Sequence, residues 1–127
     1  MGLIVLDTGV PIDFLRGDPE CRNALGDAIA EGHRLMASVL SRVELLWGMR
    51  THERKATSAL FAAVDWVDVD EEISELAGAY ARKFRRSHQG IGVVDYVIAA
   101  TAQHLGAELW TRNVKHFPMF TELSPPY

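Results

Sequence analysis

Apolar residues recur along the chain with two different periods, and the changes between them lay out the elements. The unbroken run Leu3-Ile4-Val5-Leu6 has the length and branching of a strand covered on both faces, and it stops at Asp7-Thr8-Gly9. Pro11 to Arg16 reads as a short helix with proline near its start, broken by Gly17-Asp18-Pro19. From Glu20 to Glu31, Leu25, Ala28 and Ile29 give a helical stripe that Gly32 ends, and Leu35-Met36-Ala37 predicts a second strand. Leu40, Val43, Leu46 and Trp47 then follow the 3.6-residue period in a helix capped by Ser38 or Ser41 and running through Met49, a stripe that belongs against the core.

A further helix is expected from Glu53 to Val64, and a third strand at Asp65-Trp66-Val67-Asp68. Asp70 to Arg86 is the clearest helix, with Ile73, Leu76, Ala77, Tyr80 and Phe84 on one face, acids at its start and bases at its end. Gly90-Ile91-Gly92 opens a loop before a helix from Val93 to Leu105, which Gly106 closes, and Ala107 to Thr111 is a fourth strand. Strands and helices alternating over 127 residues predict one α/β domain, residues 1–127, in three α/β/α layers around a mainly parallel sheet of four to five strands.

Composition narrows the chemistry. Seventeen acids against thirteen lysines and arginines give a net charge of −4, which argues against bulk attraction to nucleic acid, so any such site must be local or carry its own cations. Cys21 is the only cysteine, which rules out an internal disulfide and thiolate metal sites and leaves it a buried small hydrophobe or a bystander. No apolar run approaches the roughly 18 residues that span a bilayer, and no basic leader precedes the first strand, so a cytoplasmic protein is expected.

Three acids stand where the surrounding pattern does not call for one. Asp7 closes the first strand, at the end where ligands collect in parallel α/β sheets, although it can also simply cap the next helix. Glu44 falls on the side of its helix shared with Leu40 and Trp47, although Ser41-x-x-Glu44 also matches a capping box. Asp95 is the only charge between His88 and His104 and sits in a first helical turn, where an anion is stabilised whatever its function. Three converging carboxylates repel one another unless a cation lies between them, and an oxygen-only set with no cysteine points to Mg²⁺ or Mn²⁺.

These residues resemble a known family. Leu6-Asp7-Thr8 with Ile12-Asp13-Phe14-Leu15, Ser41-x-x-Glu44-Leu45, Asp95-x-x-Ile98-Ala99-Ala100-Thr101-Ala102, and Leu109-x-Thr111-Arg112-Asn113-x-x-His116-Phe117 occur in the order seen in PIN-domain ribonucleases, most like the VapC toxins of bacterial toxin–antitoxin pairs. The resemblance implies a PIN-like fold and a Mg²⁺-dependent endoribonuclease acting on tRNA, rRNA or other structured RNA. It also implies a homodimer neutralised by a cognate VapB-type antitoxin. Asp7, Glu44 and Asp95 match the acidic cluster, Asn113 falls at the fourth acidic position as a neutral oxygen, and Thr8 and Thr111 support the site. Gly9 stands where the family more often has serine. A degenerate scaffold that binds RNA or a protein without cutting is the rival reading.

The cations that RNA requires are sought in Arg82, Lys83, Arg85 and Arg86 at the end of the long helix, and in Arg112 and Lys115 near the site mouth. The helix macrodipole alone also accounts for bases at a helix end. The five histidines are given structural or solvent roles, and Trp47, Trp66 and Trp110 are assigned to the core.

Overall fold

The structure is a computed structural model that describes residues 2–127. Among these, four parallel strands, β1 (Leu3–Leu6), β2 (Arg34–Ser38), β3 (Asp65–Val67) and β4 (Glu108–Trp110), form one sheet in the order β3-β2-β1-β4. The expected range of four to five strands resolves to four. Six helices connect and cover them: α1 (Gly9–Leu15), α2 (Pro19–Ala30), α3 (Val39–Gly48), α4 (Arg54–Ala63), α5 (Glu71–Phe84) and α6 (Val93–Leu105).

The strand period explains the three layers. Ile4 and Leu6 point to one face and pack with Val10, Cys21, Leu25, Leu60 and Val64 beneath α1, α2 and α4. Val5 points to the other face and meets Ile98, Ala99, Ala102, Leu109 and Phe117, while Ile73 and Ala77 of α5 pack on Tyr96, Val97 and Ala100 of α6. Cys21 is wholly buried, its Sγ donating to the Val10 carbonyl at 3.4 Å, which makes it the small hydrophobe of the two readings.

Local signals set the boundaries. The Asp18 carboxylate accepts from the Glu20 and Cys21 amides at the start of α2, and Asp70 accepts from Ile73 at the start of α5. Gly106 ends α6 in the left-handed region at φ 62°, a conformation that glycine adopts without a Cβ penalty. No helix of the described residues is long and apolar enough to cross a membrane.

Helix α3 departs from its expected orientation. Ser38 is the cap, its Oγ accepting from the Leu40 amide at 3.2 Å, so Ser41 is not a cap and Glu44 makes no capping box with it. The buried face is Ser41 and Leu45, while Val43, Leu46 and Trp47 are 58%, 47% and 89% exposed. The helix carries two apolar faces, and β2 runs straight into it, so the sheet receives the face that Ser41 anchors. Trp66 and Trp110 pack, half-buried, against the α1, α2 and α4 side as expected.

The strand order matters for the site. The chain adds β2 and β3 on one side of β1 and then returns to place β4 on the other, so a topological switch point lies between β1 and β4, where such sheets open a crevice at the carboxyl ends of the strands.

Urea denaturation checks the packing. Ile98→Ala, at a fully buried position, is expected to cost about 2–5 kcal/mol. Trp47→Gln is expected to change the stability of the isolated chain by less than about 0.5 kcal/mol, because its ring meets solvent. A comparable loss for both would mean that Trp47 is a core residue after all.

Candidate active site

Asp7 is the first residue past β1, and the sheet itself holds it in place. Its backbone N–H donates to the Trp110 carbonyl at 2.9 Å, which extends the β1–β4 ladder by one bond. Its two carboxylate oxygens are claimed separately: Oδ1 accepts from the Thr8 amide at 2.9 Å and Oδ2 from the Thr111 hydroxyl at 2.7 Å. Thr111 is fully buried, and its Oγ1 also accepts from the Asn113 amide at 2.9 Å. One hydroxyl therefore fixes both the first acid and the turn after β4.

Burial is the largest influence on the Asp7 carboxyl and raises its pKa above the ordinary value. The Thr111 and Thr8 hydrogen bonds oppose the rise, whereas the charges of Asp95 and, more weakly, Glu44 add to it. All three acids thus share one electrostatic neighbourhood, although they are held in different ways.

Asp95 lies in the first turn of α6, where its Oδ2 accepts from the Gly92 amide at 3.2 Å and stands 3.1 Å from His116 Nδ1. The same His116 nitrogen is 2.9 Å from Asn113 Nδ2. It can donate to Asp95 or accept from Asn113, but it cannot do both at once. Glu44 reaches across from α3, and its Oε1 accepts from the Thr8 hydroxyl at 2.7 Å. Ser41 Oγ lies 2.8 Å from the same hydroxyl, and because a carboxylate can only accept, Thr8 gives its one hydrogen to Glu44 and takes one from Ser41.

An open cavity of about 390 Å³ is lined by Asp7, Gly9, Asp13, Arg112 and Asn113. A β-carbon added at Gly9 meets nothing within 4 Å, so glycine here leaves the cavity wider than serine would. The Arg112 guanidinium is exposed at the rim, 3.7 Å from Asp13, 3.8 Å from Asp18 and over the Tyr127 ring. The Tyr127 hydroxyl donates to Asp13 at 2.7 Å. Burial and the Asp13 bond push that hydroxyl's pKa far up, so it remains a donor.

Asp7, Asn113 and Arg112 therefore share one cavity, Asp95 adjoins it through His116, and Glu44 is linked to it through Thr8. Lys115 lies beyond Asn113 in a second groove, and Arg82, Lys83, Arg85 and Arg86 are exposed at the end of α5, outside the cavity lining. Asp13, Asp18 and Tyr127 contribute to the site without a role expected from the sequence, and His116, expected in a structural or solvent role, contacts Asp95. Asp13 was visible in Ile12-Asp13-Phe14-Leu15, but its contact to Tyr127 across 114 residues has no local signature.

Among the described residues no three His, Cys, Asp or Glu side chains are gathered into a cage that could hold a metal ion by protein alone. Magnesium does not require one, since it keeps several waters and binds through one or two carboxylates plus substrate phosphate. The donor set fits such an ion: Asp7 and Asp95 are hard oxygen ligands near enough to raise a pKa, and a cation between them removes that repulsion.

A three-layer α/β/α domain with its acids at the switch point of a parallel sheet is the architecture of a PIN domain. The PIN domain family matches residues 4–118, and the chain belongs to it. It is 48% identical over 123 residues to Ribonuclease VapC19 of Mycobacterium tuberculosis, spanning 97% of this chain and 98% of that protein. Ribonuclease VapC10 of the same species is 44% identical over 125 residues, spanning 98% and 93%. A chain in a toxin–antitoxin complex from Klebsiella pneumoniae has the same fold, with a TM-score of 0.81 and 26% identity over 98% of each chain.

The raised pKa of Asp7 makes stability depend on pH. A carboxyl whose folded pKa exceeds its unfolded value favours folding most below the unfolded value, about 4, and that contribution is lost as pH rises through the folded value. Asp7→Asn removes the charge, and the asparagine amide can still pair with Thr8 and Thr111. The variant is expected to melt at or above the wild-type temperature at pH 7–8 in chelator, with the difference shrinking toward pH 4. A variant clearly less stable at pH 8 would show that the ionised carboxylate is favoured by the fold.

Proposed function

We propose that this chain is a divalent-metal-dependent endoribonuclease, the toxin of a toxin–antitoxin pair, that hydrolyses phosphodiester bonds in RNA. The observation that carries the reading is its full-length likeness to two proteins named ribonucleases. The acids at the switch point supply the chemistry.

Asp7 and Asp95, with Glu44 beyond Thr8, are the residues to hold Mg²⁺ or Mn²⁺. When bound, such an ion supplies Lewis acidity toward the phosphate and lowers the pKa of a water. Thr111 and Thr8 keep both Asp7 oxygens oriented, which spares reorganisation when a phosphate arrives. Asn113 offers a neutral amide at the same cavity, and Arg112, the one cation among the described residues of its lining, balances phosphate charge against Asp7 and Asp13. The exposed bases at the end of α5 are the further cations proposed to meet the RNA backbone.

The partners follow from the same reading. Val43, Leu46 and Trp47 form an exposed apolar patch on the helix that carries Glu44, and such patches mark protein contacts. A VapB-type antitoxin is the partner proposed, together with a homodimer of the toxin. A cytoplasmic location suits an RNA substrate.

Two experiments test this. Sequencing RNA ends after brief expression should reveal new cuts with wild-type protein, and Asp7→Asn or Asp95→Asn should reduce cleavage by about 100-fold or more without unfolding the chain. In the same variants Mg²⁺ should no longer raise the melting temperature at pH 8, as it should in wild type. Cleavage at the wild-type rate by either variant would remove the acids from the mechanism, and no cleavage by wild type would favour the degenerate scaffold.

The basic cluster is tested separately. Among the described residues none of Arg82, Lys83, Arg85 and Arg86 pairs with an acid. Arg85→Gln with Arg86→Gln, in an Asp95→Asn background, is expected to weaken single-stranded RNA binding and flatten its log–log salt dependence by roughly 0.7 per lost contact. An unchanged slope would leave the two arginines as helix-end charges.

A further inference from the structure

We propose that the groove beside the acidic cavity is a nucleotide subsite, seating the base and sugar next to the bond that is cut and reading the base. It is an open groove of about 660 Å³ whose lining includes His88, Gln89, Asn113, Lys115, His116 and Phe120. The inference rests on the ribonuclease reading and adds where sequence preference is set.

Continuity is the first argument. Asn113 lines both cavities, and His116 lines the groove while standing 3.1 Å from Asp95. A strand whose phosphate meets Asp7, Asn113 and Arg112 therefore has its neighbouring nucleotide at the groove mouth. The volume lies within the roughly 300–1,000 Å³ of small-molecule sites and exceeds that of the acidic cavity.

Charge is the second. The chain carries more acids than bases, yet no Asp or Glu is among the described residues lining this groove, and Asp95 stands behind it, 3.1 Å from the lining residue His116. Lys115 provides a cation in the wall, and Arg85 and Arg86 lie three and two residues before its His88 rim. A polyanion is admitted here with less repulsion than at the Asp7 cavity.

The third is the kind of groups present. Single-stranded RNA is read by stacking bases on flat side chains and by hydrogen bonds to exposed base edges. Phe120 and His88 supply rings, and the His88 ring is already oriented, edge-on to Phe84 at 5.6 Å with Ser87 Oγ 2.8 Å from its Nδ1. Gln89 and Asn113 supply amides, each able to donate and accept against a base edge.

The test uses His88→Ala with Gln89→Ala, both exposed, with a melting curve to confirm folding. Backbone amide spectra of wild-type protein titrated with each of the four nucleoside 5′-monophosphates should shift at Gln89 and across Val114–Phe120, more for one base than for the others, and the double variant should lose that response. Limited cleavage of single-stranded RNA with a randomised block should show a base preference at one position flanking the cut, reduced about tenfold in the variant. Shifts confined to the surroundings of Asp7 and Arg112, or a preference unchanged in the variant, would overturn the subsite while leaving the ribonuclease reading intact. Groove shifts from wild-type protein that cuts no RNA would support a nucleotide site and overturn the hydrolase reading instead.

Discussion

The hydrogen bond from Thr111 to Asp7 is the contact on which the site depends. A carboxylate half-buried at the end of a central strand is costly unless its oxygens are paired, and Asp7 has a donor for each. The donor from β4 is available because β4 lies beside β1 in the sheet, and it lies there because the chain reverses its direction of strand addition after β3. Topology, pairing and acid orientation are thus one constraint. Losing the β1–β4 ladder would release Asp7, Asn113 and Arg112 together.

Around that contact the site is layered by how firmly each group is held. Asp7 is tied to backbone and to a buried hydroxyl, whereas Asp95 is tied to one amide and an imidazole, and Glu44 to a single threonine hydroxyl. Arg112 is loosest, exposed between Asp13, Asp18 and Tyr127. The rigid member sits on the sheet and the adjustable ones sit on helices and loops, which suits the flexible polymer proposed as its substrate.

Much of this was legible beforehand, for identifiable reasons. Helices α5 and α6 could be read to within a residue or two, because α5 has a sustained apolar stripe with Asp70 at its cap and α6 is bracketed by Gly92 and Gly106. Asp7 was conspicuous as the polar end of an apolar run. What escaped were relations between distant segments. The orientation of α3 turned on Ser41 meeting Thr8, which periodicity cannot register when a helix is apolar on two sides. The Asp13 and Tyr127 pairing, and His116 against Asp95, likewise join segments whose local patterns are unremarkable.

The distance along the chain between Asp7 and Thr111 has a consequence for biosynthesis. Pairing so non-local forms late, since the second partner must first be made and the loop-closure entropy of the long intervening segment must be paid. A nascent chain still lacking β4 has its first strand and first acid but neither the hydroxyl that orients Asp7 nor the Asn113 and Arg112 rim. The pocket therefore cannot assemble until most of the polypeptide has left the ribosome, and chains abandoned partway through translation lack it by construction.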